Sequence, residues 1–249
     1  MNIKEFDFYT GTPEDLIDSF FNVDSHGSKS ILVTPNLDFW MRASKLSSFY
    51  ELIKKSDVRI CDGAPLILVL KLRSMIYGDS VPHRITGADL MPAILGHKKS
   101  SDSKIVFIGG DPNCESINKD IISEKFNLNK NNILVISPPF GFESDGSYVK
   151  GIFEEISLFG PNFIFSCLGS PKQEKLIMRI KEEVSFDYAF CVGAAIDFVT
   201  EKSRRSPKLM RLVGVEWLWR LYCEPKRLFK RYSKNALCFF PLLIKSLKR

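Results

Sequence analysis

Residues 162–179 read NFIFSCLGSPKQEKLIMR, and this stretch decides the fold class. It opens on Phe163-Ile164-Phe165-Ser166-Cys167-Leu168, a run rich in aromatic and β-branched residues and too short for a typical helix. That combination predicts a buried strand. Gly169-Ser170-Pro171 breaks the run. The fixed φ of Pro171 suits the first turn of a helix, where its missing N–H is not needed. From Lys172 onward Leu176, Ile177 and Ile180 recur at helical spacing. In a parallel sheet such a strand–turn–helix places its turn at the carboxyl edge, where open α/β sheets bind ligands. Free N–H groups at the helix start favour a phosphate there. Lys172 adds a cation, and Gln173 an amide that both donates and accepts. Taken alone, these residues also fit an ordinary turn with a solvated Lys and Gln.

The same pattern recurs on both sides. Residues 1–30 read as an edge hairpin or strand followed by a helix, with Thr12 as N-cap and Pro13 at its first position. Ile31-Leu32-Val33 is a short strand ending in Thr34-Pro35-Asn36. Val58–Cys61 is the next, ending in Asp62-Gly63, and the helix over Leu66–Leu72 is so apolar that burial is expected. Thr86 and Asp89 stand at capping-box spacing. Lys104–Ile108 ends in Gly109-Gly110. Ile133–Ile136 ends in a loop that places Phe142 near the same edge. Tyr188–Val192 ends in Gly193, with Asp197 beyond. Strands alternating with helices predict an α/β, Rossmann-like, mostly parallel sheet with helices on both faces. Each strand end carries polar residues or glycine. One such end means little for an Asp-Gly turn, but five in succession suggest a ligand lying across the edge.

Composition narrows the classes. The 249 residues are 45% hydrophobic and 26% charged, an ordinary globular balance. No apolar run is long enough to span a membrane. The first residues lack the apolar core of a signal peptide, so a cytoplasmic location is expected. The six cysteines form no CxxC pair and the three histidines are far apart, so metal-ligand spacing is absent. The fingerprints GxGxxG and GxxxxGK[ST] are missing, which counts against nicotinamide enzymes and ATPases. No Asp-x-Asp pair occurs, which weakens mechanisms needing a metal on a diphosphate, and no GxSxG elbow is present. Residues 204–249 hold 13 Lys+Arg against 2 Asp+Glu, a net of +11, whereas residues 1–203 carry −5. The reading divides the chain into an α/β catalytic domain, 1–203, and a basic amphipathic helical tail, 204–249. Such a tail seeks an anionic partner. In it Leu209, Leu212, Val213, Trp217 and Leu221 repeat at helical spacing, the usual mark of a core-facing stripe. Ala236–Ile244 is apolar and flanked by Lys234 and Lys245, which suits a helix lying in a membrane interface.

Four linked segments carry a family resemblance: Arg84–Leu90 (RITGADL), Gly169–Glu174 (GSPKQE), Val192–Phe198 (VGAAIDF) and Gly214–Arg220 (GVEWLWR), followed by Glu224-Pro225 and Arg227. From about Thr34 to Arg231 the chain resembles the WecG/TagA/CpsF glycosyltransferases, family 26. Ala194 stands where the family has a second glycine, Val199-Thr200-Glu201 where another glycine is expected, and Lys230 where arginine is common. The resemblance implies an inverting, metal-independent enzyme without a cofactor. It would move a sugar, of the N-acetylmannosamine type or a related hexose, from a UDP-sugar to a polyprenyl-diphosphate-linked sugar. The setting would be the cytoplasmic face of a bacterial membrane, in surface polysaccharide or teichoic acid synthesis. It implies Asp62 as general base, Thr34, Asn36 and Arg84 along the sugar and acceptor, and Gln173 at the diphosphate or sugar. Gly110, Gly169, Lys172, Asp197 and Phe142 would serve the nucleotide, the last two its uracil. Arg220, Arg227 and Arg231 would reach UDP if the tail folds over the site. The oligomeric state stays open, a homo-oligomer included.

Two other readings compete. A non-enzymatic nucleic-acid-binding protein would account for the basic tail but not for the polar strand ends, and the tail carries no nucleic-acid motif; no nucleic acid is therefore expected as a partner. A soluble enzyme modifying a nucleotide sugar would fit the sheet but lacks the glycine fingerprint.

Overall fold

Short apolar strands alternate with helices along the chain. The structure, a computed structural model, describes residues 1–22 and 27–247, apart from the side chains of Leu212, Arg227 and Arg231. In chain order the elements are α1 (Pro13–Ser19), β1 (Ser30–Val33), α2 (Leu37–Ala43), α3 (Ser47–Lys54), β2 (Val58–Arg59), α4 (Ala64–Tyr77) and α5 (Gly87–Leu95). Then come β3 (Ile105–Ile108), α6 (Glu115–Phe126), β4 (Ile133–Ile136), α7 (Gly146–Phe159), β5 (Phe163–Ser166), α8 (Lys172–Glu183), β6 (Tyr188–Cys191) and α9 (Ala195–Val199). The C-terminal part forms α10 (Lys208–Leu212), α11 (Glu216–Cys223) and α12 (Pro225–Leu247). All strands are parallel, in the order β2-β1-β6-β5-β3-β4.

Strand periodicity sorts the core into two layers. Ile31, Val33, Val106, Ile108, Ile164, Ala189 and Cys191 point to one face, under α2, α3, α4, α7, α8 and α12. Leu32, Ile105, Phe107, Phe163, Phe165 and Phe190 point to the other, under α1, α5, α6 and α9. Successive side chains on a strand take opposite faces, so both layers come from the same four-residue runs. On the second face Phe165 stacks on Phe107 at 5.4 Å and on Phe190 at 4.8 Å, because the parallel register sets these residues opposite one another. From β1 the chain runs outward to β2, and from β3 outward to β4. Between them β5 and β6 fill the centre, so the turns after β1, β3, β5 and β6 meet at the middle of the carboxyl edge.

Several elements differ from the sequence reading. No hairpin or strand forms in the described part of residues 1–30 ahead of β1. Ile3–Phe6 is a short 3-10 helix closed by a reciprocal cap between Asn2 and Glu5, and Ile3 and Phe6 are buried beside α12. Tyr9 meets the sheet edge there, its N–H donating to the Arg59 carbonyl at 2.9 Å, and the Arg59 guanidinium pairs with Asp7 at 3.3 Å. Pro171 sits one place outside α8 as its cap, after a cis Ser170–Pro171 bond. The stripe Leu209–Leu221 does not pack as one core-facing helix. It breaks at Gly214, and Leu209, Val213 and Trp217 are exposed. Gly214 has φ +79°, and a Cβ there would stand 2.6 Å from that of Ala64, so only glycine allows this approach. Finally, α4 is apolar on both faces yet only half-covered: Leu66, Val69 and Leu70 are buried, while Leu68, Met75 and Ile76 are exposed.

The C-terminal helix is built into the body. Leu242 is fully buried in the first core layer, with Cys238, Phe239 and Leu243 packed beside it. Its last carbonyls are satisfied by other elements. The Arg73 guanidinium donates to the Ser246 carbonyl, and the Tyr77 hydroxyl donates to that of Leu247 at 2.6 Å. Helix-end carbonyls need such partners when water is excluded. No helix among the described residues is long and apolar enough to cross a membrane.

Candidate active site

Asp62 follows β2, and three segments meet around it. Its N–H donates to the Pro35 carbonyl at 3.0 Å, which ties it to the turn after β1. Cys61 bridges Arg84 in parallel fashion, and Ile85 N–H donates to the Cys61 carbonyl at 3.2 Å. In that first turn Asn36 caps α2, accepting from Asp38 and Phe39 N–H, and its Cβ lies 3.7 Å from where a side chain on Gly63 would begin. Thr34 is buried, its hydroxyl donating to the Cys191 carbonyl at 3.1 Å. Asp62, Asn36 and Arg84 thus converge, with Thr34 one layer below.

The C-terminal segment folds onto this edge. Arg84 donates to the Arg211 carbonyl at 2.7 Å. Arg205 donates to the Ala88 carbonyl at 2.9 Å and pairs with Asp89 at 2.8 Å. Arg220 pairs with Glu216 at 2.9 Å, and both Arg220 and Arg205 lie against the Phe198 ring, at 5.0 and 5.6 Å. Burial pushes the Asp62 carboxyl up to about 6; Arg220 opposes this, Glu216 adds to it, Arg84 opposes and Asp89 adds. Burial alone would lower the Arg220 pKa, but Glu216 and Asp62 raise it, so its charge is secure. Burial would raise Asp89, but hydrogen bonds from Thr86 and Arg205 and the charges of Arg205 and Arg211 hold it below the usual range. One half-buried carboxylate near neutrality, beside an arginine whose charge is secure, is the arrangement that acid–base chemistry needs.

The other candidates lie along the ends of β3, β5 and β6. Gly109 and Gly110 both have positive φ, and at Gly109 a Cβ would come within 2.9 Å of the Cys167 backbone. Gly110 is exposed. At the start of α8 the N–H groups of Lys172 and Gln173 turn back to the Gly169 carbonyl at 2.9 and 3.4 Å, so they are not free for a phosphate. Lys172 is ion-paired with Glu143 and lies 4.7 Å over the Phe140 ring. Gln173 is only 2% exposed; its amide donates to Glu174 at 2.6 Å and accepts from Gly193 N–H at 2.9 Å. The sequence reading had placed it facing ligand; here it joins two strand-end turns. Asp197 is half-buried on α9, next to Phe198.

Phe142 requires a correction. It is buried in the first core layer against Tyr148, not presented at the edge. The exposed aromatic of that loop is Phe140, whose ring is fully open to solvent. Which of the two points inward depends on the turn that Gly141 makes at φ +87°, and spacing does not show that. Arg205, Arg211, Glu216 and Phe198 were also missed. Arg205 and Arg211 had no signal beyond the charge of the tail, whereas Phe198 and Glu216 stood inside two of the segments that carry the family resemblance and were given no role. The side chains of Arg227 and Arg231 lie outside the described residues. The family model for the glycosyl transferase WecG/TagA/CpsF family matches residues 1–249, the whole chain, and the protein belongs to that family of glycosyltransferases.

Proposed function

We propose that the protein transfers a hexose, of the N-acetylmannosamine type or related, from a UDP-sugar to a polyprenyl-diphosphate-linked sugar. It does so with inversion and without a divalent metal, at an anionic membrane surface on the cytoplasmic side. The observation that carries the reading is Asp62: a half-buried carboxyl with its pKa near 6, at the sheet edge beside Arg84 and Arg220. The acceptor hydroxyl attacks the anomeric carbon from the face opposite UDP. Its proton goes to the Asp62 carboxylate, and the breaking bond leaves its electron pair on the UDP phosphate oxygen. Arg84 and Arg220 supply positive charge where that oxygen develops its own. Thr34 and Asn36 shape the sugar end, and Gly110, Gly169 and Asp197 the nucleotide end. Phe140 takes the uracil-facing role first given to Phe142, because its ring is exposed where that of Phe142 is buried. The basic outer surface of α12 is the part that meets the membrane.

A thermal-shift screen of nucleotide sugars tests the donor. A UDP-sugar should raise the midpoint, since a ligand of the native state stabilises it. The responding donor, given a polyprenyl-diphosphate-linked acceptor, should release UDP equally well in excess EDTA. Stabilisation by another nucleotide sugar alone would remove the donor assignment. Loss of turnover in EDTA that manganese or magnesium restores would remove metal independence. Tight binding of DNA on filters, with no response to any nucleotide sugar, would favour the nucleic-acid reading.

A further inference from the structure

A helix that is apolar all round belongs in a core, and α4 breaks that rule. Its inner stripe, Leu66, Val69, Leu70 and Arg73, is buried, whereas Leu68, Met75 and Ile76 are 49%, 84% and 58% exposed. These outer residues form a second stripe at helical spacing, with exposed Lys71 within it. The neighbouring α12 is built alike. Beyond its buried Leu228 and Leu242 it exposes Phe229, Leu237, Phe240 and Ile244, one stripe at intervals of three, four and eight residues. The two helices pack against each other, and Arg73 and Tyr77 near the end of α4 bind the last carbonyls of α12. Among the described residues, 12 of the 17 large exposed apolar side chains fall on α4 and on the segment from α10 to α12. They therefore make one surface rather than scattered singles, and such a surface marks an interaction site.

Charge selects the occupant. Neither α4 nor α12 contains an Asp or Glu, while Lys71, Lys226, Lys230, Lys234 and Lys245 are exposed on them. A second copy of the chain, docked face to face, would set lysines against lysines. An anionic bilayer offers acyl chains to the apolar stripe and phosphate headgroups to the lysines. We propose that the outer face of α4, inside the catalytic body, is a membrane-docking surface that acts together with α12. The proposal rests on the membrane reading given for α12 and extends it to α4. It has a consequence for the reaction: α4 starts two residues after Asp62, so docking along α4 brings the catalytic edge to the lipid surface from which a polyprenyl-linked acceptor emerges.

Flotation of the full chain with vesicles of phosphatidylcholine, with and without phosphatidylglycerol, tests this. Three variants are compared: Leu68→Ser/Met75→Ser/Ile76→Ser on α4, Lys71→Glu on α4, and Leu237→Ser/Phe240→Ser on α12. Thermal midpoints and light scattering control for fold and oligomer. The proposal expects wild type to float with the anionic vesicles. Each α4 variant should lose about tenfold or more of that partition at an unchanged midpoint, because the serines remove contacts with the acyl chains and the charge reversal at Lys71 repels the anionic headgroups. The Lys71→Glu variant changes no buried group, so it keeps the test valid if the triple variant folds poorly. If both α4 variants float like wild type while the α12 variant does not, the α4 surface is wrong and the α12 reading stands. If wild type itself fails to float, the membrane reading falls and takes this one with it. If wild type is a dimer that the α4 variants convert to monomer with flotation unchanged, the face joins two copies and the proposal is overturned.

Discussion

Asp62 shows how the fold gives one side chain properties that its type does not guarantee. An aspartate before a glycine makes turns throughout proteins. Here burial lifts its pKa to about 6, and Arg220 and Arg84 limit that rise. As the proposed base it would work only when ionised, so kcat/KM should fall about tenfold per pH unit below pH 6. A rate that stays level down to pH 4.5 would exclude it. Stability runs the other way. The folded carboxyl binds its proton more tightly than the unfolded one, so its contribution is fully present below the unfolded value of 3.8 and is lost as pH rises through about 6. Asp62→Asn removes that loss. Turnover should drop by about 10²–10⁴-fold, while stability at pH 7.5 rises by about 2–3 kcal/mol, a gain absent at pH 3. Denaturant titrations at the two pH values check it; equal stability in both would show that the carboxylate is not strained by burial.

At the scale of the element, the start of α8 has a structural duty beyond that of a ligand site. Gln173 joins it to the Gly193 turn, and Glu174, fully buried, is pushed above the usual carboxylate range by burial against the hydrogen bond from Gln173. Arg42 donates to the Ser170 carbonyl at 2.8 Å, which adds the end of α2 to the same frame. Removing the Gln173 amide leaves buried partners unsatisfied, and each such group costs about 1–3 kcal/mol. Gln173→Ala should therefore lower stability by about 2 kcal/mol or more as well as weaken the donor. Calorimetric titration with the stabilising nucleotide sugar, beside a urea melt, separates the two effects. Weaker binding at unchanged stability would return Gln173 to direct ligand contact. The motif GSPKQE was legible as a strand–turn–helix. Its bonds to Gly193 and Arg42 were not, because they join residues 20 and 128 positions apart.

For the whole molecule, the C-terminal region is both cover and support. Residues 205–220 bring Arg205, Arg211, Glu216 and Arg220 over the carboxyl edge, and α12 then packs into the first core layer with Leu242. Truncation before Arg204 would strip the site of Arg205, Arg211 and Arg220 and open the core together, so it cannot report on either alone. Leu242→Ala is the cleaner probe of packing. Loss of a fully buried leucine should destabilise by about 2–5 kcal/mol, read as a lower thermal midpoint, with flotation on anionic vesicles retained by the folded fraction. An unchanged midpoint would make α12 a loosely attached appendage.

What the sequence determined by itself was the set of local decisions. Short β-branched and aromatic runs, glycine at strand ends, and caps at Thr12 and Thr86 are chemistry within a few residues, and these specify strands, turns and helix starts wherever the chain goes. The parallel α/β class followed from their alternation, and Asp62 could be placed at the carboxyl edge. Tertiary structure alone decided which faces find a partner. Phe142 went inward and Phe140 outward because of the turn at Gly141. Gln173 was drawn into the core by Gly193, and α4 was left half-bare although its composition suits burial. Each outcome depends on what stands opposite in space, and burial, pairing and desolvation are properties of that neighbour as much as of the residue.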